Sequence, residues 1–214
     1  LFEACEALCK RPVIAGVALR TGDAGHAATW GQTTMTIRVA EGETLKGPSS
    51  AFAQANDGVN AKLTAAVVEL AAPAGLRVLE LYCGIGNFTV GLAAGAKSLV
   101  AIEQDPGAVE ACRANLKRRG LDARVTLGDA NRPPRGQYDV VVLDPPRQGA
   151  RELFELGKVL PGPKRVVYVS CDTATLARDL RLAAGKGYRI DRLIGFDMFP
   201  QTAHLESVVR LVRV

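Results

Sequence analysis

From about residue 64 onward, apolar runs rich in β-branched residues alternate with amphipathic stretches of helical length. This alternation is typical of a parallel sheet covered by helices. The last two apolar runs have no helix-length segment between them, so they predict a hairpin whose final strand is antiparallel to the others. The seven predicted strands are Arg77–Tyr82, Ser98–Ile102, Ala123–Leu127, Tyr138–Leu143, Arg165–Val169, Tyr188–Phe196 and Ser207–Val214.

Three helices are predicted by an N-cap residue followed by apolar positions at helical spacing. The candidate caps are Asn56 or Asp57, Asp105 followed by Pro106, and Asp172 or Thr173. The apolar positions that follow include Leu63 and Val67, Val109 and Leu116, and Leu176 and Leu180. The pattern therefore predicts an α/β fold with a mostly parallel, seven-stranded sheet.

Residues 1–50 do not follow this pattern. Glycines separate short runs such as Val13–Leu19 and Thr33–Val39, which predict small β-hairpins. We therefore expect two units. Residues 1–50 form a small β-rich lobe on the substrate side, as part of a central domain, and residues 51–214 form the main domain.

Composition limits the class of protein. A chain of 214 residues that is 48% hydrophobic and 23% charged is typical of a soluble globular domain with a small appendage. No apolar run reaches the roughly 18 residues of a membrane span, and the start does not resemble a signal peptide. We expect no membrane association. The first residue is Leu1, which favours a fragment of a longer protein.

The net charge of +5 is unevenly placed. Residues 1–60 carry five Lys/Arg against six Asp/Glu, and the remaining residues carry 22 against 16. A basic main domain fits a polyanionic partner such as RNA, and it fits a generally basic solvated surface equally well.

The five cysteines are odd in number and contain no CxxC pair. This argues against a disulfide framework and for a reducing, cytoplasmic location. Cys5 and Cys9 are one helical turn apart, but only His26 and His204 could join them as imidazole ligands. We therefore expect no metal site.

A glycine turn follows the first predicted strand of the main domain. Gly84 and Gly86 would let the backbone approach a ligand, but Thr89 stands where a dinucleotide fingerprint needs a third glycine. A nicotinamide dehydrogenase is therefore disfavoured. Glu103, at the end of the next strand, could accept both ribose hydroxyls of a nucleoside or simply cap a surface strand.

A sulfonium-bearing nucleoside, S-adenosylmethionine, would need no dense phosphate cradle. Its positive charge would suit three acidic residues near strand ends, which are Glu80, Asp129 and Asp144.

Three further segments carry candidate chemistry. Asp144-Pro-Pro-Arg147 closes one strand at the carboxyl edge of the sheet, where ligands bind in open α/β folds, although a rigid turn is the ordinary alternative. Cys171 ends the next strand beside a helix N-terminus, which should stabilise a thiolate. Glu206 precedes the last strand and could be a base or half of a structural ion pair with an arginine.

Taken together, these motifs make the chain resemble the S-adenosylmethionine-dependent RNA uracil-C5 methyltransferases, which form 5-methyluridine in tRNA and ribosomal RNA. The matching segments are Phe52–Asn56, Leu81–Phe88, Asp144–Gly149, Ser170-Cys171, Thr175–Leu180 and Asp197–Glu206. The resemblance implies a Rossmann-like class I methyltransferase fold.

The resemblance also implies site residues. It implies Cys171 as nucleophile and Glu206 as the base that removes the proton from carbon 5. Asp129 matches less closely and is offered only as an adenine contact. The remaining implied S-adenosylmethionine contacts are Gln54, Tyr82, Asn87, Glu103 and Asp144, together with Gly84 of the glycine turn.

Carbon 5 of uracil is a poor nucleophile, which explains these residue types. Thiolate addition at carbon 6 makes an enolate that can attack a sulfonium methyl group, and a base then removes the remaining proton. The target uridine, in tRNA or rRNA, must be unpaired or flipped out. No obligate protein partner is evident.

Two features depart from the family. Asp172 stands where the family usually has Asn, and we expect its side chain to cap the following helix rather than oppose a thiolate at Cys171. An N-terminal RNA-binding β-barrel and an iron–sulfur cluster, which family members commonly or sometimes carry, are not recognisable in this sequence. RNA affinity and site selection are therefore left open.

Two other functions fit part of the pattern. An amino-directed methyltransferase also uses Asp-Pro-Pro, but it prefers an aromatic residue where Arg147 stands and needs neither Cys171 nor Glu206. A catalytically silent RNA-binding module would keep the fold and lose thiolate-dependent turnover.

Overall fold

A computed structural model describes residues 1–19, 28–157 and 162–214. Over these residues the chain forms three sheets with flanking helices. The strands are β1 (Gly16–Leu19), β2 (Ala28–Gly31), β3 (Thr34–Ala40), β4 (Glu43–Pro48), β5 (Arg77–Leu81), β6 (Ser98–Glu103), β7 (Arg124–Leu127), β8 (Val140–Leu143), β9 (Arg165–Ser170), β10 (Tyr188–Phe196) and β11 (Glu206–Arg213). The helices are α1 (Phe2–Cys9), α2 (Asp57–Ala71), α3 (Thr89–Ala93), α4 (Pro106–Lys117), α5 (Arg151–Glu155) and α6 (Thr173–Ala184).

The main sheet has seven described strands in the order β10-β11-β9-β8-β5-β6-β7. Strands β5 to β9 run parallel, whereas β11 is antiparallel to both β9 and β10. The predicted α/β fold with an antiparallel last strand is therefore confirmed. Strand β5 lies between β6 and β8, so the chain order reverses there. The crevice at the carboxyl end of such a switch point is where open α/β sheets bind ligands.

Both faces of this sheet are buried, which explains why its strands read as nearly continuous apolar runs. Along β8, Val141 and Leu143 pack into a cluster that includes the buried side chains of α5 and α6. Val140 and Val142 point to the opposite face and pack with Leu63 and other side chains of α2. The central strands β5, β8 and β9 thus supply alternate residues to two separate cores.

The three predicted helix starts are confirmed, because each predicted cap accepts a backbone hydrogen bond. The amides of Val59, Ala108 and Thr175 donate to the side chains of Asn56 (3.1 Å), Asp105 (2.8 Å) and Asp172 (2.8 Å). The two five-residue helices α3 and α5 were not predicted, since they are too short to show a helical period.

The first 50 residues contain more than hairpins. The strands β1–β2 and β3–β4 form two antiparallel hairpins as expected, but the chain begins with the unpredicted helix α1. Hairpin β3–β4 packs Ile37, Val39 and Leu45 into the same core as Ile85 of the glycine turn. The division of the chain at residue 50 stays a prediction.

Across the described segments, no helix has both the length and the apolar character required to cross a membrane.

Candidate active site

The glycine turn follows β5 at the switch point of the sheet. Three of its residues have positive φ angles, which are Tyr82 (62°), Gly84 (54°) and Gly86 (100°). A Cβ atom on Gly86 would lie 3.0 Å from Cys112 Sγ, so this glycine allows the turn to pack against α4. A Cβ on Gly84 would meet nothing within 4 Å, which leaves that face of the backbone open to a ligand.

Glu103 holds the glycine turn in place. One carboxylate oxygen accepts the Gly84 amide at 2.9 Å, and the other accepts the amides of Gln104 (2.8 Å) and Asp105 (2.9 Å). A carboxylate offers about four acceptor positions, so little capacity is left for a ribose. The predicted ribose contact therefore also has a structural task that its position in the sequence did not reveal.

Two buried asparagines, which the sequence analysis missed, link the turn to hairpin β3–β4. Asn60 forms a reciprocal pair of 2.9 Å amide hydrogen bonds with Asn87 and donates to the Arg38 carbonyl. Asn115 donates to the carbonyls of Ile85 (2.8 Å) and Lys46 (3.0 Å) and accepts the Lys46 amide. The Asn87 side chain, a predicted cofactor contact, is therefore engaged by the protein.

A small cavity of about 40 Å³ lies beside the turn. Its lining brings together five of the predicted cofactor residues, which are Gln54, Tyr82, Gly84, Asn87 and Asp144. Gln54 is buried, and its Oε1 atom has no hydrogen-bond partner in the described structure. An unpaired buried amide oxygen costs free energy, so it marks a position where a ligand donor would be stabilised.

A larger and mostly apolar cavity, of about 630 Å³, lies between β3, α2 and α3. Asn87 is the one predicted site residue in its lining. We place the candidate site at the smaller cavity, because the strand ends and the unpaired polar atom converge there.

Tyr82 and Asp129 are linked through Asn131. The Tyr82 hydroxyl donates to Asn131 Oδ1 at 2.9 Å, and burial, reinforced by the charge of Asp129, raises its pKa to about 12. Asp129 accepts the Asn131 amide at 2.8 Å and lies 3.7 Å from the Arg132 guanidinium. Asp129 is not among the residues that line the cavity.

The two acidic side chains nearest the centre of the sheet favour the neutral form. Burial raises the pKa of Glu80 well above its ordinary value. Burial also raises the pKa of Asp144, and the charge of Glu206 adds to this rise.

Strand pairing brings Cys171 and Glu206 together. In the antiparallel register of β11 and β9, Ser207 pairs with Ser170, so the preceding Glu206 is opposite the residue that follows, Cys171. Glu206 is 1% exposed, and its Oε1 has no partner among the described residues. Burial raises its pKa to about 7. A carboxyl with this pKa exchanges protons near neutral pH.

The pKa of the Cys171 thiol is raised, contrary to the expectation from the helix N-terminus. Burial is the main cause, and the charges of Glu206 and Asp144 add to it. Arg147 opposes them by favouring the thiolate. The sequence placed Cys171 correctly at a strand end, but it did not show that two carboxyls would lie so near.

Asp172 caps α6, as its sequence position suggested. Its Oδ1 accepts the Thr175 amide, and this hydrogen bond holds the pKa of Asp172 below its ordinary value. Within the ranges that the structure describes, no group of three or more His, Cys, Asp or Glu side chains could hold a metal ion. His26 lies outside those ranges.

Comparisons with known proteins show the family and the fold of the chain. The family described as tRNA (Uracil-5-)-methyltransferase matches residues 33–126 and 135–214. The 23S rRNA (uracil(1939)-C(5))-methyltransferase RlmD of Alkalilimnicola ehrlichii is 47% identical over 70% of the chain. RlmD of Pseudomonas entomophila is 43% identical over 73% of the chain. The chain spans only 36% of the length of each of these relatives.

A solved structure is similar over nearly the whole chain. It is Pyrococcus abyssi tRNA (uracil-54, C5)-methyltransferase in complex with S-adenosyl-L-homocysteine. The TM-score is 0.73 with 29% identity, and the match covers 93% of this chain and 51% of the other.

Proposed function

The chain belongs to the tRNA (uracil-5-)-methyltransferase family, and from that premise we propose that it transfers a methyl group from S-adenosylmethionine to carbon 5 of a uridine in RNA. The observation that carries this proposal is the register of β9 and β11, which, continued by one residue, places the buried Glu206 opposite Cys171. Both residues lie at the edge of the sheet where the glycine turn opens. Neither cofactor binding alone nor amino-directed methylation would need this pair.

The residues of the small cavity suit S-adenosylmethionine. Gln54 offers an unpaired buried oxygen to a ligand donor, and Gly84 leaves its backbone open. Tyr82, Asn87, Asp144 and Glu103 complete the proposed binding set, with Asp129 near the adenine. When bound, S-adenosylmethionine supplies an electrophilic methyl group on a sulfonium.

Cys171 and Glu206 would perform the two protein-dependent steps. The Cys171 thiolate adds to carbon 6 of the uracil, and the electron pair of the carbon 5–carbon 6 double bond moves onto the enolate. Carbon 5 then forms its bond to the methyl group as the methyl–sulfur bond breaks, and the electron pair of that bond stays on the sulfur of the released S-adenosylhomocysteine. Glu206 takes the proton from carbon 5, the double bond re-forms, and the thiolate leaves. Arg147 favours the thiolate that starts the sequence.

The substrate we favour is a uridine of 23S ribosomal RNA, because the two relatives described above, which are 47% and 43% identical to the chain, are named for that reaction. A tRNA uridine is the alternative, and it is the substrate named for the similar archaeal structure. The positive charge of residues 61–214 is compatible with either RNA. We further propose that residues 1–50 form a lobe on the substrate side.

The direct test is transfer of tritium from S-adenosyl-[methyl-³H]methionine to unmodified transcripts of 23S rRNA and tRNA. We expect labelled 5-methyluridine with the wild-type chain and with Cys5→Ala, and none with Cys171→Ala. Cys5 is a matched control because it is a buried cysteine on α1. Retained label in Cys171→Ala, or label on a base amino group, would contradict the proposal. A chain that binds S-adenosylhomocysteine but labels neither RNA would be a silent module.

A further inference from the structure

The loop that follows β8, residues 144–149, rests on one side of α6. Three side chains of α6, all between residues 175 and 179, hold the backbone of the loop. The Thr175 hydroxyl donates to the Arg147 carbonyl (3.0 Å), Arg178 Nη2 donates to the Gln148 carbonyl (2.8 Å), and the Ala150 amide donates to Asp179 Oδ2 (2.7 Å). Helix α6 thus holds the backbone at Arg147 and Gln148, and at Ala150 directly after the loop.

Asp179 is the centre of this arrangement. It is fully buried, and its Oδ2 atom also accepts the hydroxyl of the buried Tyr168 at 2.7 Å. Its Oδ1 atom accepts Arg178 Nε at 2.9 Å. Burying a carboxylate costs several kcal/mol unless such partners surround it, so a buried ion pair is weak evidence for a stabilising role. A role in fixing geometry accounts for it better.

The loop approaches Asp179 so closely that only a glycine fits between them. Gly149 has a φ of 75°, and a Cβ atom there would lie 2.6 Å from Asp179 Oδ2 and 2.7 Å from Arg178 Nη2. The position of the loop is therefore set by contact with the Asp179 carboxylate.

These contacts join two segments of the candidate site. The loop begins with Asp144 at the end of β8 and carries Arg147. Helix α6 begins two residues after Cys171, and Asp172 caps it. Side chains of α6 thus connect the segment that carries Arg147 with the segment that carries the thiol.

We infer that Asp179 is a positioning residue, which holds residues 144–149 against α6 and thereby fixes the segment that carries Arg147 relative to the segment that carries the Cys171 thiol. This role rests on the proposed function, because it matters for catalysis only if Cys171 is the nucleophile. In the chain itself, we expect Arg147 to influence the reactivity of Cys171 only while Asp179 holds the loop.

The test is the rate of Cys171 carboxamidomethylation across a pH series, followed on the Cys171 peptide by mass spectrometry. We expect Asp179→Asn to raise the midpoint, the pH at which the alkylation rate is half-maximal, by about half a unit. At pH values below this midpoint the reaction should then be about threefold slower than in the wild type. Arg147→Gln should give the same shift, and the double variant should shift no further. Asp191→Asn is the matched control, because Asp191 also accepts an arginine hydrogen bond, from Arg210 Nε at 2.6 Å.

An unchanged midpoint in Asp179→Asn or in Arg147→Gln would overturn the inference, and so would fully additive shifts in the double variant. A merely structural role for Asp179 would lower the unfolding temperature without moving the midpoint of the folded protein. If Asp179→Asn does not fold, Gly149→Ala displaces the same loop from the other side and must give the same shift. An unchanged midpoint there would be equally decisive.

The alkylation needs neither RNA nor S-adenosylmethionine. Failure of the wild-type chain to methylate any RNA would therefore end the proposed function and leave the Asp179–Arg147 coupling intact. Loss of the coupling in a chain that methylates RNA would end this inference alone.

Discussion

The glycine turn and the Cys171–Glu206 pair lie along the same edge of one sheet, but the polar groups of the two regions differ in how completely they are hydrogen-bonded. The turn is held by satisfied hydrogen bonds from Glu103, Asn60 and Asn115. At the pair, Glu206 is buried with an unpaired oxygen, and the pKa values of both groups are raised.

From this difference we expect the glycine turn to support ligand binding and the Cys171–Glu206 pair to react. Satisfied polar groups fix a backbone, and a fixed backbone can present open amides to a ligand without reorganisation. An unpaired buried carboxyl is costly to the fold, but its pKa lies near the pH at which a general base must work. Changes at the turn should therefore act on stability and binding, whereas changes at the pair should act on turnover.

The largest effect is expected for Glu206→Gln, which removes the base and keeps the shape. We expect kcat for 5-methyluridine formation to fall by about 10²–10⁴-fold, because a positioned base contributes that much. The Kd for S-adenosylhomocysteine, measured by calorimetry, should change less than about twofold. A large loss of cofactor affinity with little change in kcat would reverse the roles of the two regions.

The pH dependence of stability should show the cost of burying Glu206. Its folded pKa of about 7 lies above the ordinary 4.5, so between these values the folded chain holds a proton that the unfolded chain has released. Ionisation of Glu206 therefore lowers the free energy of unfolding as pH rises, by up to about 3 kcal/mol above pH 7.

Glu206→Gln should remove this loss. In urea unfolding, the variant should gain on the wild type as pH rises from 4.5 to 7, the difference should level off above pH 7, and the two should converge below pH 4.5. A difference that does not vary with pH would show that the carboxyl is ionised and compensated in the folded chain.

Asn115→Ala tests how far the glycine turn depends on the hydrogen bonds that support it. It leaves the Ile85 and Lys46 carbonyls unpaired, so we expect a loss of about 2 kcal/mol in unfolding free energy and about tenfold weaker binding of S-adenosylhomocysteine. Arg118→Ala is the control, because Arg118 Nη2 donates to Asn115 Oδ1 and its removal leaves the hydrogen bonds from Asn115 Nδ2 to Ile85 and Lys46 in place. Wild-type affinity in Asn115→Ala would show that the turn does not need this support.

The smallest effect is expected for Asp172→Asn, since both residues are good N-caps. The unfolding free energy should change by less than about 0.5 kcal/mol, and the rate of Cys171 alkylation at neutral pH by less than about twofold. An acceleration of severalfold would mean that the Asp172 charge acts on the thiol rather than on the helix.

The sequence predicted the parts of the molecule that depend on local pattern. The strands β5 to β11 follow from apolar runs, and the caps Asn56, Asp105 and Asp172 follow from short-range chemistry. The proposed roles of Cys171 as nucleophile and Glu206 as base follow from their motifs, but the adjacency of the two residues depends on the register of β9 and β11.

Contacts distant in sequence explain what was missed. Asn115 joins Lys46 across 69 residues, and Asp179 reaches Ala150 across 29, so neither leaves a local signal. The raised pKa of Cys171 has the same origin, because Asp144 and Glu206 approach it only in the folded chain. Helix α1 lay in a segment whose glycines suggested only hairpins.

The central claim is that Cys171 forms a covalent bond to the uracil that Glu206 later helps to break. RNA containing 5-fluorouridine tests it directly, because carbon 5 then has no proton to lose. With S-adenosylmethionine present, we predict a stable protein–RNA adduct of methylated mass, with the bond mapped to Cys171 by mass spectrometry. Glu206→Gln should still form the adduct and Cys171→Ala should not. An adduct that persists in Cys171→Ala, or none in a wild-type chain that makes 5-methyluridine, would contradict the account.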